Sequence, residues 1–313
     1  MEDYPKTPAE FDALFSSEEA CREYLIGMRW PDGISCSRCG GRKVWPTKRG
    51  LLVCAGCEHQ MSVTAGTIFQ DTRKPLNLWF RAVWYVTGQK TGASALGLQR
   101  VLGLASYRTA WTWLHKLRRA MVRPGRDRLS GTVEVDETYV GALRAGKRGR
   151  GAAGMSLVLI AAEIDGRRIG RIRLGRVEDA SSDSLGAAVQ QSVERGSIVQ
   201  TDRWTGYRPL EGMGYRHQVV RATAELGDNL LPNCHRVASL LKQWMLGTHQ
   251  GAISHEHLEY YLDEFTFRFN RRTSRHRGKL FYRLLQQAVA VEAQPYRNLI
   301  RHARGRRTQK HNP

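Results

Sequence analysis

The sequence predicts a multidomain α+β protein: a cysteine-stapled N-terminal lobe, a small helical module and a larger domain built on a mixed sheet. Three observations carry that reading. Two cysteine pairs, CSRC (Cys36, Cys39) and CAGC (Cys54, Cys57), stand 14 residues apart. Between Leu76 and Met121 apolar residues recur at helical spacing. From residue 132 onward, runs of β-branched and alternating residues take over, interrupted by two helical stretches. A chain of 313 residues suffices for one large domain or two to three small ones, and 41% hydrophobic residues is ordinary for a globular core.

Charge narrows the partners. Lys and Arg number 49 against 29 Asp and Glu, a formal net charge of +20. Such an excess favours polyanions, nucleic acid above all, with a basic membrane-surface protein as the competing reading. No apolar run reaches about 18 residues, and the start, MEDYPKTPAEF, is not a signal peptide. The expectation is a soluble, non-exported protein that does not enter a membrane.

Thr7-Pro8-Ala9-Glu10 and Ser16-Ser17-Glu18-Glu19 have the pattern of capped helix starts, so residues 1–28 read as two short helices. Thiolates in pairs two residues apart suit the corners of a tetrahedral zinc site, each pair on a tight knuckle. Two disulfides are the alternative, disfavoured in a reducing compartment. The four cysteines therefore predict a structural zinc ribbon over 29–68, with Leu51, Val53, Met61 and Val63 on its hairpin edges. Cys21 and Cys234 lack a partner spacing and read as small apolar residues.

Over 74–124 the pattern gives three helices. Leu76, Phe80, Val83 and Trp84 form the stripe of the first; Ser94 caps a short second, ended by Gly103; Ser106 caps a third carrying Ala110, Trp113, Leu114, Leu117 and Met121. The tight turn between the last two fits a helix-turn-helix arrangement. The other face of the third helix then shows Arg108, Thr109, Thr112, His115, Lys116 and Arg119. Arg108, Thr112, Lys116 and Arg119 are the candidates for contacting bases and phosphates in a major groove, a solvated basic face being the alternative.

Strands are expected at 132–140, 156–164 and 167–175, the last two joined by Asp165-Gly166 as a hairpin turn. A helix follows near 184–193, a strand at 197–202, another at 217–222 and a helix at 235–246. Three antiparallel strands, a helix, further parallel strands and a helix is the order of a ribonuclease H-like fold. Between the first two strands lies GALRAGKRGRGAAG, whose Arg144, Lys147, Arg148 and Arg150 suit a phosphate backbone, or a plain surface loop.

Asp136 sits mid-strand in TVEVDETYVG, where a carboxylate is costly to bury unless something pairs with it. Asp202 ends the strand of SIVQTDRW, where a turn cap is the milder explanation. On the last helix, Val237, Leu240, Leu241 and Trp244 mark the buried face, leaving His235 and Lys242 two turns apart on another. Placed beside the strand carboxylates, His235 would complete a metal site and Lys242 would grip a phosphate; a capping histidine and a solvated lysine are the alternatives. Tyr139 and Tyr207 read as packing residues. Glu134 and Glu137 flank Asp136 and are taken to lie on the opposite face.

These blocks carry a resemblance. CSRCGGRKVW, SVTAGTIFQDTRKPL, VEVDETYVG, GKRGRGAAG, TDRWTGY, HRVASLLKQWMLGTHQG and YLDEFTFRFNRR resemble the DDE-type prokaryotic insertion-sequence transposases with an N-terminal zinc ribbon, the ISXO-like group. The likeness spans residues 20–285. It implies a catalytic domain over 130–275, using two Mg²⁺ or Mn²⁺ ions, with Asp136 and Asp202 as the catalytic aspartates. The third family position, usually acidic with a lysine seven residues on, falls on His235 and Lys242, an Asp-Asp-His variant of the triad. Glu225, Asp228 and Asn233 are the nearby substitutes. By the same likeness the partners are double-stranded DNA, as terminal inverted repeats and target, and a second copy of the chain; the setting is the prokaryotic cytoplasm, at the nucleoid. A catalytically inactive or domesticated DNA-binding derivative is the rival. Residues 276–313 are expected to be a basic C-terminal helix and tail, with Leu280–Val291 packing back on the catalytic domain.

Overall fold

Thr7 and Ser17 each accept a hydrogen bond from the backbone N–H three residues on, and so start α1 (Pro8–Leu14) and α2 (Glu18–Arg29). The computed structural model describes residues 3–123, 125–141, 155–221, 229–251, 253–293 and 295–301. Its chain divides into two units, Met1–Pro124 with Thr273–Ile300, and Gly125–Arg272.

In the first unit the ribbon follows α2 as three short antiparallel strands in the order β1 (Val44–Pro46), β2 (Leu51–Cys54), β3 (Gln60–Ser62). Leu52, Cys54 and Met61 turn inward and are buried. The Arg29 guanidinium donates to the carbonyls of Ser62 and Val63 at 2.9 and 2.6 Å, tying α2 to the end of β3. Next comes α3 (Leu76–Gly88), preceded by Pro75, which offers no capping side chain. Glu18 supplies the cap instead: its two oxygens accept from the N–H groups of Leu76 and Asn77 at 2.9 and 3.2 Å. Ser94 caps α4 (Ala95–Leu102), and Gly103, at φ 60°, ends it in the left-handed conformation that glycine adopts without strain. After this tight turn runs α5 (Tyr107–Ala120), whose Trp113 stacks on Trp79 of α3 at 3.8 Å between ring centroids.

The second unit is a five-stranded mixed sheet. β4 (Thr132–Gly141), β5 (Met155–Asp165) and β6 (Arg168–Val177) are antiparallel, the last two joined through Gly166 at φ 59°. α6 (Ser182–Ser192) leads to β7 (Ile198–Thr201), which pairs parallel with β4, and β8 (Arg216–Val219) pairs parallel with β7. The sheet order is β6-β5-β4-β7-β8. Two helices follow, α7 (Pro232–His249) and α8 (Leu258–Phe269). The long buried run of β5 packs on both sides, as the alternation of a doubly covered strand requires. Val158, Ile160 and Ala162 meet α7 and α8, while Leu157, Leu159 and Ala161 meet the side of α6.

The chain then returns to the first unit. α9 (Arg277–Ala290) and α10 (Tyr296–Arg301) close it. Phe281 enters a ring cluster with Phe11, Phe15, Trp84 and Phe80, all at 5.5–5.8 Å. This corrects the expectation that Leu280–Val291 packs on the catalytic domain: α9 lies against α2, α3 and α5. The stripe of Leu280, Phe281, Leu284, Leu285 and Ala288 is buried as its periodicity predicts, but periodicity reveals a face, not its partner.

Candidate active site

Alternation along β4 sorts its polar residues between the two faces. Val133 and Val135 join the core beside α6, whereas Val140 joins the core beside α7. Asp136 and Glu134 therefore share the α7 side, and only Glu137 faces the other way, where its carboxylate accepts a 2.6 Å hydrogen bond from the Tyr207 hydroxyl. The sequence reading had Glu134 on the wrong face. Residues two apart on a strand share a side, and Glu134 stands two before Asp136.

Register aligns the two aspartates. β4 and β7 pair in parallel with Glu134 opposite Gln200, and continuing that register by two residues sets Asp136 beside Asp202, just past the end of β7. Neighbouring strands lie about 4.8 Å apart, so both carboxylates come to the same edge of the sheet. Asp202 is held by a local turn, its Oδ1 accepting from Trp204 N–H at 2.9 Å. The Asp136 carboxyl is pushed up from the ordinary range by burial, with Asp202 and Glu134 adding to the rise; the N–H of Glu137 and the His235 ring pull the other way.

α7 brings the third group. Its N-terminus has no cap of its own, and Leu231 contributes none. Glu134, 3% exposed, fills the role: its oxygens accept from the backbone N–H of Asn233 and Cys234 at 2.9 and 3.0 Å and from Asn233 Nδ2 at 2.7 Å. The next residue is His235. Its Nε2 stands 3.4 Å from Asp136 Oδ2, and its Nδ1 is 2.5 Å from Asn229 Oδ1. Lys242 is exposed on the same helix, roughly 10 Å further along at 1.5 Å per residue. Of the nearby substitutes for the third ligand, Asn233 is engaged with Glu134, and Glu225 and Asp228 lie outside the described residues. Tyr207 is fully buried and its hydroxyl is pushed far above the usual range by that burial and by Glu137, so it is a packing residue.

In the ribbon, Cys36 Sγ lies 3.6 Å from Cys57 Sγ and Cys39 Sγ 3.5 Å from Cys54 Sγ, and all four sulfurs fall within 4.8 Å of one another. A zinc with four thiolates at about 2.3 Å requires sulfur separations near 3.8 Å, so the cluster fits a structural zinc. No cysteine is in a disulfide. Among the described residues this is the one group of three or more His, Cys, Asp or Glu gathered at metal-ligand spacing.

Comparison with known proteins follows the same division. Residues 16–60 match the family described as a transposase zinc-ribbon domain, and residues 128–270 match the ISXO2-like transposase domain. The two matches together take in more than half of the chain. The chain thus carries an ISXO2-like transposase domain behind a transposase zinc ribbon. It is 27% identical over 275 residues to a protein of Halobacterium salinarum described as an uncharacterized protein in transposable element ISH50, covering 81% of this chain and 91% of that one.

The DNA contacts expected of this transposase fare unevenly. Arg108 is exposed, its guanidinium 5.5 Å from the Tyr296 ring of α10. Thr112 turns its hydroxyl back onto the Arg108 carbonyl at 2.7 Å. Lys116 is half-buried, and that burial lowers the affinity of its amine for a proton, against the opposing charge of Asp71. Arg119 is half-exposed. His115, read as part of the outward face, is fully buried and lies against the Trp111 ring. α5 also packs against α9, a neighbour that its own local pattern does not announce. Arg144, Lys147, Arg148 and Arg150 lie outside the described residues. No helix among the described residues is long and apolar enough to cross a membrane.

Proposed function

We propose that this transposase binds the ends of its insertion sequence and catalyses metal-dependent strand cleavage followed by transfer of the freed 3′-OH into target DNA. The active site would comprise Asp136, Asp202 and His235 on a ribonuclease H-like domain, with the β6-β5-β4-β7-β8 order supporting that fold. The observation that carries the reading is His235 Nε2, at the start of α7, 3.4 Å from Asp136 Oδ2 on β4, with the β4–β7 register bringing Asp202 toward Asp136.

The donor set suits a divalent cation. Two ligands at right angles on an ion with bonds of about 2.1 Å stand roughly 3 Å apart, close to the 3.4 Å between His235 Nε2 and Asp136 Oδ2. Nδ1 lies against Asn229 Oδ1, so Nε2 is the ring nitrogen that would ligate a cation shared with Asp136. Bound Mg²⁺ or Mn²⁺, two ions in all, would supply an activated water and neutralise charge at the scissile phosphate. Asp136 and Asp202 provide hard oxygen donors, His235 a softer nitrogen donor, and Lys242 a point charge for the DNA backbone beside them. Bringing two element ends together favours a dimer or larger assembly on DNA.

A second reading follows from the imidazole at the third position: one negative charge fewer weakens the hold on the second cation, and a chain that binds DNA without cutting it would result. The deciding experiment is cleavage and joining of a duplex carrying the DNA that flanks the gene, with Mg²⁺ and with Mn²⁺. Joined products are expected from the wild type, more with Mn²⁺ than Mg²⁺, and none from Asp136→Ala or His235→Ala. Tight binding with no cleavage in either metal leaves the non-catalytic reading standing.

A further inference from the structure

The parallel ladder of β4 and β7 stops short of both aspartates. Its last paired residues are Glu134 and Gln200, and β7 itself ends at Thr201. Asp136 and Asp202 therefore stand past the main-chain pairing that sets the distance between their strands. Their carboxylates also repel, since Asp202 adds to the rise of the Asp136 carboxyl. Some other contact has to fix their spacing.

A chain of four hydrogen bonds runs from one aspartate to the other by way of the opposite face of the sheet. Asp136 Oδ1 accepts from the Glu137 N–H at 2.8 Å. Glu137 turns to the α6 side, where its Oε2 accepts from the Tyr207 hydroxyl at 2.6 Å. Tyr207 N–H donates to the Trp204 carbonyl at 3.2 Å, and Trp204 N–H donates to Asp202 Oδ1 at 2.9 Å. The far end is anchored in the core. The Trp204 indole donates to the Ala180 carbonyl at 2.8 Å, and Tyr207 is fully buried. Both border the 3-10 turn Thr205–Leu210 or lie in it, and a Cβ on its Gly206 would come within 2.7 Å of that same carbonyl oxygen. A turn seated this closely gives the Tyr207 hydroxyl a fixed place from which to hold Glu137. Packing alone would be served by Phe; a buried hydroxyl bonded to a carboxylate adds direction.

We infer that Tyr207 and Glu137 are positioning residues, a strut that sets the spacing of Asp136 and Asp202 where the strand ladder no longer does. Neither touches the reacting atoms; each acts through the aspartate that its hydrogen bonds lead to. Carboxylates that serve a pair of cations about 3.5–4 Å apart work only at a fixed separation, and groups that orient ligands are worth roughly 10–100-fold in metal affinity. The inference rests on the Asp136, Asp202 and His235 reading above and deepens it.

The test measures Mn²⁺ binding to the full zinc-loaded chain from loss of the free-ion paramagnetic resonance signal, with Asp136→Ala as background, beside joining of a flanking-end duplex. Tyr207→Phe is expected to weaken Mn²⁺ binding about tenfold and to raise the Mn²⁺ needed for half-maximal joining by the same factor. Its affinity for the duplex stays as it was. Glu137→Ala should behave alike, whereas Glu137→Gln, whose amide oxygen still accepts from the hydroxyl, stays close to wild type. If Tyr207→Phe does not fold, Glu137→Ala is read in its place. Glu163→Gln loosens the same unit through a different bond and leaves Mn²⁺ binding unchanged. Wild-type Mn²⁺ binding in Tyr207→Phe, whatever its melting temperature, overturns the strut, and so does an equal weakening in Glu163→Gln. A wild type that binds no more Mn²⁺ than Asp136→Ala removes the metal site itself, and the catalytic reading then falls together with the strut.

Discussion

Removing the Glu134 carboxylate leaves three donors at the start of α7 without an acceptor. Unmet buried donors to a charged acceptor and a lost cap together cost about 2–4 kcal/mol, so Glu134→Ala is expected to lower the denaturant midpoint markedly. Glu134→Gln, whose amide oxygen still accepts from the two backbone groups, loses less. Because His235 directly follows the capped residues, both variants should lose strand transfer at temperatures where they remain folded; a folded Glu134→Ala with full activity removes any positioning role for this carboxylate. Glu163 gives a second residue-scale prediction, in pH. Burial works to raise its carboxyl, but the Arg171 guanidinium, at 2.5 and 2.8 Å, and the N–H groups of Ser130 and Arg171 outweigh it and hold it below the usual range. A depressed carboxyl stabilises the fold above its unfolded pKa of about 4.3 and stops doing so as pH falls through the folded value. Urea midpoints of wild type and Glu163→Gln should thus differ at neutral pH and converge below about pH 4. Zinc loss in acid affects both proteins alike, so their difference isolates Glu163.

At the scale of elements, two helices without caps of their own borrow a carboxylate from elsewhere: α3 from Glu18, α7 from Glu134. Neither was legible in the sequence, since a helix start is recognised by its own preceding residue and these acceptors stand 58 and 100 residues away. The strands fared differently. Local alternation and the Asp165-Gly166 turn mark β4, β5 and β6 closely, and Ser94 and Gly103 mark both ends of α4. Where the pattern misled, as at His115 and Lys116, side chains on a face that looks solvent-ready locally are buried or half-buried in the folded unit. Gly278 opens α9 against the N-terminal segment, and a Cβ there would overlap the Pro5 carbonyl. Gly278→Ala should therefore destabilise the first unit by about 1–3 kcal/mol, as overpacking does, read as a drop in melting temperature. A variant as stable as wild type would mean that this approach yields freely.

For the whole molecule, the zinc ribbon was more legible in the sequence than the assembly of the units. Cysteine spacing identified the ribbon because a tetrahedral zinc site imposes short, regular intervals on the chain. Asp136 stood out because a charge within a β-branched run is costly without a partner. The membership of α9 was invisible, because an apolar stripe fits any apolar groove, and only the ring cluster of Phe11, Phe15, Phe80 and Phe281 selects one. The first unit is thereby assembled from both ends of the chain, with the sheet-bearing unit inserted between them. That arrangement has a consequence in time. On the ribosome, the N-terminal helices emerge long before Phe281, and at roughly 5–20 residues per second the interval is on the order of ten seconds. Through that interval the nascent aromatic surface stays unfilled while residues 125–272 can already fold around their own two cores. Synthesis of α9, rather than of the N-terminal helices, completes the lobe that carries the ribbon.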